Sequence, residues 1–387
     1  MHQLQLSLNS VSRISDIKIA AGIRRYIGQQ LKDSNRFEPR RVLVFSNKRV
    51  FTLYGREVVN NLRRAKLRVF EFLMPEGERY KSFRVLEEAV SFLGKNGFER
   101  NDLIVALGGG VVGDLAGFTA SVYLRGIPII QMPTTLLAQV DSSVGGKTGI
   151  NLTVGKNMVG TFYQAPLVLI DPDTLATLPE RELIAGFCEM VKQSLIANRS
   201  LFRSTTELLK RRNADHGAIR SAEFEALIAA NCEFKASIVA NDERESRNRS
   251  DIKSRRILNF GHTTAHALEA VTKYKMFRHG EAVGYGMLVA GEISRNLGLL
   301  PAAELELLQD AVRLCGKLPR ADSLDTNQII HALKHDKKSV AGQINWVLLE
   351  GIGSPKIVPG SEISAKLLRL SLRTGLQLPG RQKDKSH

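Results

Sequence analysis

"LIVALGGGVVGDLAGF", residues 103–118, runs from an apolar strand pattern into glycines and out again into a helical pattern. Gly108, Gly110 and Gly113 have the GxGxxG spacing, in which glycines let the backbone approach a pyrophosphate while amides of the following helix point at it. Glycine-rich turns after strands are common, so the pattern alone leaves both a nucleotide site and an ordinary turn open. The acidic residue expected about 20 positions further on is missing from the next strand, which argues against an ordinary Rossmann domain.

Outward from this stretch, short apolar runs alternate with amphipathic segments: "RVLVFS" (41–46), "LRVFEFLM" (67–74), "IPIIQMP" (127–133) and "PLVLID" (166–171). Strands separated by helical patterns predict a mostly parallel sheet, a Rossmann-like α/β variant. After "DPDTLATLPEREL" the texture changes. Ile184, Phe187, Val191 and Leu195 recur at helical spacing, and similar stripes cover 222–240, 262–273, 280–297 and 303–315. The expected division is an α/β domain over 1–179 and an all-α domain over 180–387, with the boundary near Pro179; 387 residues exceed what one core usually serves.

With 43% hydrophobic residues the chain can bury large cores, yet no run approaches the roughly 18 apolar residues of a membrane span. "MHQLQLSLNSVSRISD" lacks the apolar region of a signal peptide, so a soluble cytoplasmic protein is expected. Cys188, Cys232 and Cys315 form no CxxC pair and read as buried free thiols of a reducing compartment. The formal charge of +16 points to anionic partners. No zinc finger, RNP motif or aromatic-interleaved basic strip is present, which sets aside nucleic-acid binding as the main task.

Several stretches carry side chains suited to chemistry. "DSSVGGKTGINLTVGKN" (141–157) is not a Walker loop, because Asp141 stands where its first glycine is required. It reads as a loop with Lys147 and Lys156 among small residues, suited to holding anions. "PEGERYKS" (75–82) offers Glu78 and Lys81 after a strand as partners for ribose hydroxyls. In "ELIAGFCEMVKQSLIA", Glu189 lies off the apolar stripe, and the residues alone favour a surface ion pair with Lys192 at i, i+3. "FRHGEAVGYGM" (277–287) puts His279 just before a helical pattern, where the helix dipole keeps an imidazole neutral and able to ligate. "LNFGHTTAHALE" (258–269) sets His262 and His266 on one helix face, so both rings could reach one ion. One carboxylate and two histidines with an open position is the donor set of catalytic zinc.

Taken together, "GGGVVGDLAGF", "RGIPIIQMPTTLLAQVDSSVGGKTGIN", "GKNMVGTFYQ", "TLPERE", "CEMVK", "LNFGHTTAHALE" and "HGEAVGYGM" resemble the 3-dehydroquinate synthases, members of the sugar-phosphate cyclase superfamily. The resemblance covers roughly residues 40–350 and is more specific than any single motif. It implies an α/β domain binding NAD, a helical domain holding zinc or cobalt, an active site in the cleft between them, and a homodimer. Metal ligands carry over as Glu189, His262 and His279, and His266 matches a histidine at the phosphate end of the substrate site. The other active-site matches are Arg125, Asp141, Lys147, Lys156, Asn157, Lys192, Lys235, Arg255, Asn259 and Lys337. For NAD the matches are Glu76, Gly77, Glu78, Arg79, Tyr80 and Lys81; Gly109, Gly110, Val111, Val112, Gly113 and Asp114; Thr134 and Thr135; Lys147 and Lys156; and Thr174, Leu175, Ala176 and Thr177. Leu152 and Tyr163 stand where the family usually has histidines, and Cys188 replaces a small residue; these departures bear on the substrate pocket more than on the matched catalytic groups.

The activity so implied is a phosphate-eliminating carbon–oxygen lyase of the shikimate pathway, which leads to aromatic amino acids. It turns the anionic sugar phosphate 3-deoxy-D-arabino-heptulosonate 7-phosphate into 3-dehydroquinate by transient oxidation with NAD, β-elimination, reduction, ring opening and aldol closure. Alternative readings are another sugar-phosphate cyclase, an iron-dependent alcohol or glycerol dehydrogenase on a related fold, and a binding module recruited through the basic surface.

Overall fold

The computed structural model describes residues 14–246, 249–334 and 345–377. The strands are β1 (Asp16–Ile19), β2 (Arg41–Asn47), β3 (Arg68–Met74), β4 (Leu103–Gly108), β5 (Ile129–Pro133), β6 (Lys147–Leu152), β7 (Gly155–Phe162) and β8 (Leu167–Ile170). Six of them make one sheet in the order β1-β8-β5-β4-β2-β3. β2 runs parallel to both β3 and β4, and β5 runs parallel to β8. Every residue of β4 and β8 is buried, as are the five central residues of β2, because helices cover both faces and a parallel strand then reads as a continuous apolar run. β3, at the sheet edge, is mostly half-exposed or exposed.

The helices of this part are α1 (Ile27–Asp33), α2 (Lys48–Val50), α3 (Arg56–Arg64), α4 (Phe83–Lys95) and α5 (Gly110–Val122), with a π-helical turn, Phe51–Gly55, joining α2 to α3. After β8 come α6 (Glu180–Ala197), α7 (Arg199–Ala214), α8 (Ala222–Asn241), α9 (His262–Val271), α10 (His279–Asn296), α11 (Ala302–Leu314), α12 (Thr326–Lys334) and α13 (Ala365–Gly375). The chain forms two compact units. One takes the described residues up to 18 with 23–132 and 146–170, and the other takes 19–22, 133–145 and the described residues from 171 onward.

Three details differ from the expectations drawn from sequence. Most of the stretch 141–157, read as a loop, belongs to the antiparallel hairpin β6–β7, in which Lys147 pairs with Phe162 and Ile150 with Val159. The helical unit also holds an antiparallel pair, β9 (Asn345–Gly351) and β10 (Ser354–Pro359), so it is not made of helices alone. β1 is four half-buried residues, "DIKI", too short for its alternation to register as a strand.

α6 and α10 form the centre of the second unit. α6 is buried without a break from Leu183 to Ile196, and α10 from Gly280 to Ser294, which is the pattern of helices packed on all sides. Two glycine contacts set how closely the helices approach. A Cβ on Gly280 would lie 1.9 Å from the Ala185 carbonyl oxygen on α6, and one on Gly286 would lie 1.9 Å from the Gly261 carbonyl oxygen, just before α9. Only glycine permits these backbone approaches. They bring together the three segments that carry Glu189, His262 and His279. No helix among the described residues is long and apolar enough to cross a membrane.

Candidate active site

Glu189 on α6, His262 at the first residue of α9 and His279 at the first residue of α10 converge within the second unit. One donor atom from each lies within 4.8 Å of the others. His262 Nε2 is 3.9 Å, and His279 Nε2 3.7 Å, from the same oxygen, Glu189 Oε1. His266 is not part of this group, although its ring centroid is 5.7 Å from that of His262 and 6.2 Å from that of His279.

The surface ion pair expected for Glu189 and Lys192 needs correction. Lys192 Nζ does lie 2.6 Å from Glu189 Oε2, but the two side chains are 0% and 1% exposed. A position off the apolar stripe reaches the surface only if one side of the helix does, and α6 has no such side. Neither Glu189 oxygen has a well-angled hydrogen bond, so the lysine contact is an ion pair alone. Lys192 offsets the charge at Oε2, while Oε1, buried and without a hydrogen bond, remains costly unless a second cation meets it. With two imidazole nitrogens facing Oε1, the donor set and its spacing fit a divalent metal of the zinc type.

Behind the histidines stand partners that orient them. His262 Nδ1 is 3.2 Å from the Phe260 carbonyl oxygen, and His279 Nδ1 is 3.4 Å from Glu269 Oε2. Each contact favours the tautomer with the proton on Nδ1, which turns the Nε2 lone pair toward Glu189. Glu281, buried in the first turn of α10, accepts from the Arg278 backbone N–H at 2.7 Å. Arg181 grips both Glu281 oxygens, at 2.8 and 2.6 Å, and donates to the Met276 carbonyl at 2.9 Å. The start of α10, and with it His279, is thereby held to α6. Glu269 and the Arg181–Glu281 pair were missed in the sequence reading; the available signal was Glu269 at i+7 from His262, two turns along the same face.

A cluster of charge continues from Glu189 and the two histidines. Asp141, in the π-helical turn Ala138–Ser142, has Oδ1 2.8 Å from Lys235 Nζ and 3.8 Å from Lys192 Nζ. Burial would push its carboxyl up, but the ammonium groups of Lys235 and Lys192 outweigh burial and hold it well below the usual range. Burial pulls Lys235 down more than Asp141 raises it. Lys192 goes the other way: burial lowers it, but Glu189 and Asp141 together raise it. Arg255, lowered by burial, donates to the carbonyls of Glu243 and Gly145 at 2.6 and 2.8 Å, and Asn259 Nδ2 donates to Glu245 Oε1 at 2.7 Å. All three cysteines are buried free thiols; a hydrogen bond with Cys315, then burial, keeps the Cys188 thiol protonated beside Glu189, and burial pushes Cys232 up to about 12.

The remaining residues of the second unit lie at turns. Thr134 is buried, and Thr135 Oγ1 accepts from the Ala138 N–H at 3.2 Å. Thr174, Leu175, Ala176 and Thr177 belong to the 3₁₀ turn Pro172–Thr177, where Thr174 Oγ1 donates to the Asp171 carbonyl at 2.8 Å. Lys337 lies outside the described residues.

In the first unit, Gly109 caps α5 in an extended conformation, and Gly110, Val111, Val112 and Gly113 make its first turn, with no side-chain cap and no acidic residue. Such a helix start is open to an anion. Glu76 and Gly77 lead into the short 3₁₀ turn Glu78–Tyr80, which contains Arg79, and Lys81 follows, 3% exposed. Lys81 Nζ bonds to both Asp114 on α5 and Asn157 on β7. Lys147 is exposed and Lys156 half-buried on the hairpin, and Arg125 is exposed with left-handed backbone at φ +68°.

Comparisons with known proteins bear on this arrangement. Residues 71–185 match the family model for the 3-dehydroquinate synthase N-terminal region, and residues 186–339 match that for its C-terminal region. A 3-dehydroquinate synthase of Thermodesulfovibrio yellowstonii is 40% identical over 377 residues, covering 95% of this chain and 99% of its own. Among solved structures, a 2-epi-5-epi-valiolone synthase from Streptomyces hygroscopicus with NAD+ and Zn2+ bound superposes with a TM-score of 0.82 at 25% identity, over 96% of this chain and 99% of that one. A 2-deoxy-scyllo-inosose synthase complexed with carbaglucose-6-phosphate, NAD+ and Co2+ gives 0.80 at 25% identity, over 93% and 96%.

Proposed function

The chain belongs to the 3-dehydroquinate synthase family, and from that premise we propose how its residues serve the conversion of 3-deoxy-D-arabino-heptulosonate 7-phosphate to 3-dehydroquinate and phosphate. The relatives at about 40% identity carry this activity by name, so the readings as another cyclase or as an alcohol dehydrogenase are not favoured.

We assign the metal to Glu189, His262 and His279, and the observation that carries the assignment is the buried Glu189 carboxylate, facing two Nε2 atoms with no good hydrogen bond of its own. A divalent cation held there would acidify a substrate hydroxyl. NAD, held by the 76–81 turn, the start of α5 with Asp114, Thr134 and Thr135, Lys147 and Lys156, and residues 174–177, would supply a reversible hydride acceptor.

The chain's own groups manage charge and protons. Lys192 Nζ, raised by Glu189 and Asp141, keeps its proton and gives the site a permanent positive charge for a phosphate or carboxylate. Lys235 Nζ, lowered by burial, holds its proton less tightly than an ordinary lysine, and we assign it the passing of a proton within the site. Asp141 stays ionised and offsets the mutual repulsion of the two ammonium groups. Arg125, Lys156, Asn157, Arg255, Asn259, His266 and Lys337 complete the proposed substrate contacts, with His266 at the departing phosphate.

Dependence on NAD and a divalent metal, a homodimer and a cytoplasmic location belong to the same proposal. The deciding assay supplies the heptulosonate phosphate with catalytic NAD and zinc and follows phosphate and dehydroquinate. Turnover that survives both chelation and removal of NAD would overturn it, and a monomer mass by light scattering would overturn the dimer.

A further inference from the structure

Within the first unit, Asn151 on the hairpin β6–β7 makes a cluster of hydrogen bonds to the 76–81 turn, beside the Lys81–Asn157 contact. Its backbone N–H donates to the Lys81 carbonyl at 2.8 Å. Its side-chain amide donates to Glu78 Oε1 at 2.7 Å and to the Glu78 carbonyl at 3.3 Å. Its Oδ1 accepts from the Asn157 N–H at 2.9 Å. Lys81 Nζ closes the ring by donating to Asn157 Oδ1 while paired with Asp114.

We propose that Asn151 is a positioning residue that couples the nucleotide turn to the anion-holding hairpin, so that a ligand on one strengthens binding on the other. This rests on the reading that NAD meets Glu78 and Lys81 and that substrate phosphate meets Lys156 and Asn157.

Three observations support the coupling. The base of β6 packs on α5, where a Cβ on Gly117 would meet Thr148 Cγ2 at 2.4 Å, whereas toward the far end the apolar side chains are exposed, Val154 by 68% and Met158 by 42%. Polar links hold Asn151 and Asn157 there. Asn157 has left-handed backbone at φ +52°, a costly conformation that persists where the surroundings over-determine it, and here both its N–H and its side chain are held. Asparagine is also the side chain that offers donors to Glu78 and an acceptor to Asn157 at once. A ligand that fixes the turn pays part of the ordering cost of Asn157, so the second ligand pays less.

The test compares wild type with Asn151→Asp and Asn151→Ala in the full-length, metal-loaded protein. NAD affinity is measured by calorimetry with and without saturating inorganic phosphate, and phosphate affinity with and without NAD. In wild type each ligand should tighten the other by the same factor, about fivefold or more. Asn151→Asp keeps the acceptor for Asn157 but sets a second carboxylate against Glu78, and Asn151→Ala removes both links. The factor should fall toward one in both, with KM for the sugar phosphate rising more than kcat falls. Coupling unchanged in both variants, with only a lowered Tm, would overturn the inference and leave Asn151 a structural residue. A wild type that binds NAD and phosphate independently would also overturn it. A wild type that binds no NAD would instead overturn the cofactor reading on which the inference stands.

Discussion

At the residue scale, the chemistry concentrates on the buried Glu189 carboxylate, which is paired with Lys192 on one oxygen and faces two imidazole nitrogens with the other. Glu189→Gln keeps the shape but removes the charge from the proposed metal, so affinity for zinc should fall more than about 100-fold, read by chelator competition, and phosphate release should vanish with it. Full metal content in that variant would sink the ligand assignment. His266→Ala should leave stoichiometric zinc in place while turnover falls roughly 100-fold or more, as expected for loss of a group that stabilises the departing phosphate. Loss of the metal from His266→Ala would mean that the two histidines of "GHTTAH" have been assigned the wrong way round. Asp141 carries a pH prediction. Its carboxyl is lowered in the folded state, so its contribution to stability is complete above the ordinary carboxylate value near pH 4 and is lost as the pH falls further. Asp141→Asn should therefore flatten the acid limb of the stability profile. At neutral pH it should cost about 2 kcal/mol, less than a fully buried pair would, because the side chain is 23% exposed. Equal acid limbs in wild type and variant would count against the pairing with Lys235 and Lys192.

At the scale of elements, α10 has a structural task before it has a chemical one. Gly280 lies against the backbone of α6, so Gly280→Ala must move one helix by more than a rotamer change can absorb. The expected cost is about 1–3 kcal/mol, and zinc affinity should fall along with Tm because His279 moves with the helix. Gly94→Ala on α4 is the control: a Cβ there meets nothing within 4 Å, and the change should be neutral or slightly stabilising. Calorimetry of the two variants separates packing from helix propensity. Most elements were legible in the sequence. The runs at 41–46 and 166–171, and the apolar start of 103–118, are enough to predict buried parallel strands, and α8, α10 and α11 follow their stripes within one or two residues. The β6–β7 hairpin was not legible, because its glycines, lysines and polar residues lack the alternation of a half-buried strand and its position depends on polar links to the 76–81 turn.

At the scale of the whole molecule, a bound ion should contribute to stability as well as to turnover. Removing metal with a chelator should lower Tm, and restoring zinc to about 100 times its Kd should return about 2.7 kcal/mol. A Tm indifferent to zinc would separate the histidine cluster from any tight metal. By itself the sequence determined the two textures of the chain, strand-and-helix alternation followed by helical stripes, and the order of motifs that marks the family. Those features depend on local periodicity and composition, which need no knowledge of neighbours in space. Only the tertiary structure decided that Glu189 and Lys192 are buried and that Glu269 and Arg181 stand behind the histidines; the family resemblance had already matched His279 rather than His266 with His262, and the fold brings that trio together around Glu189 Oε1. Helical spacing made His262 and His266 equivalent. What distinguishes them is the crossing of α10 over the start of α9 at Gly261 and Gly286, a contact between residues too far apart in the chain for any local pattern to record.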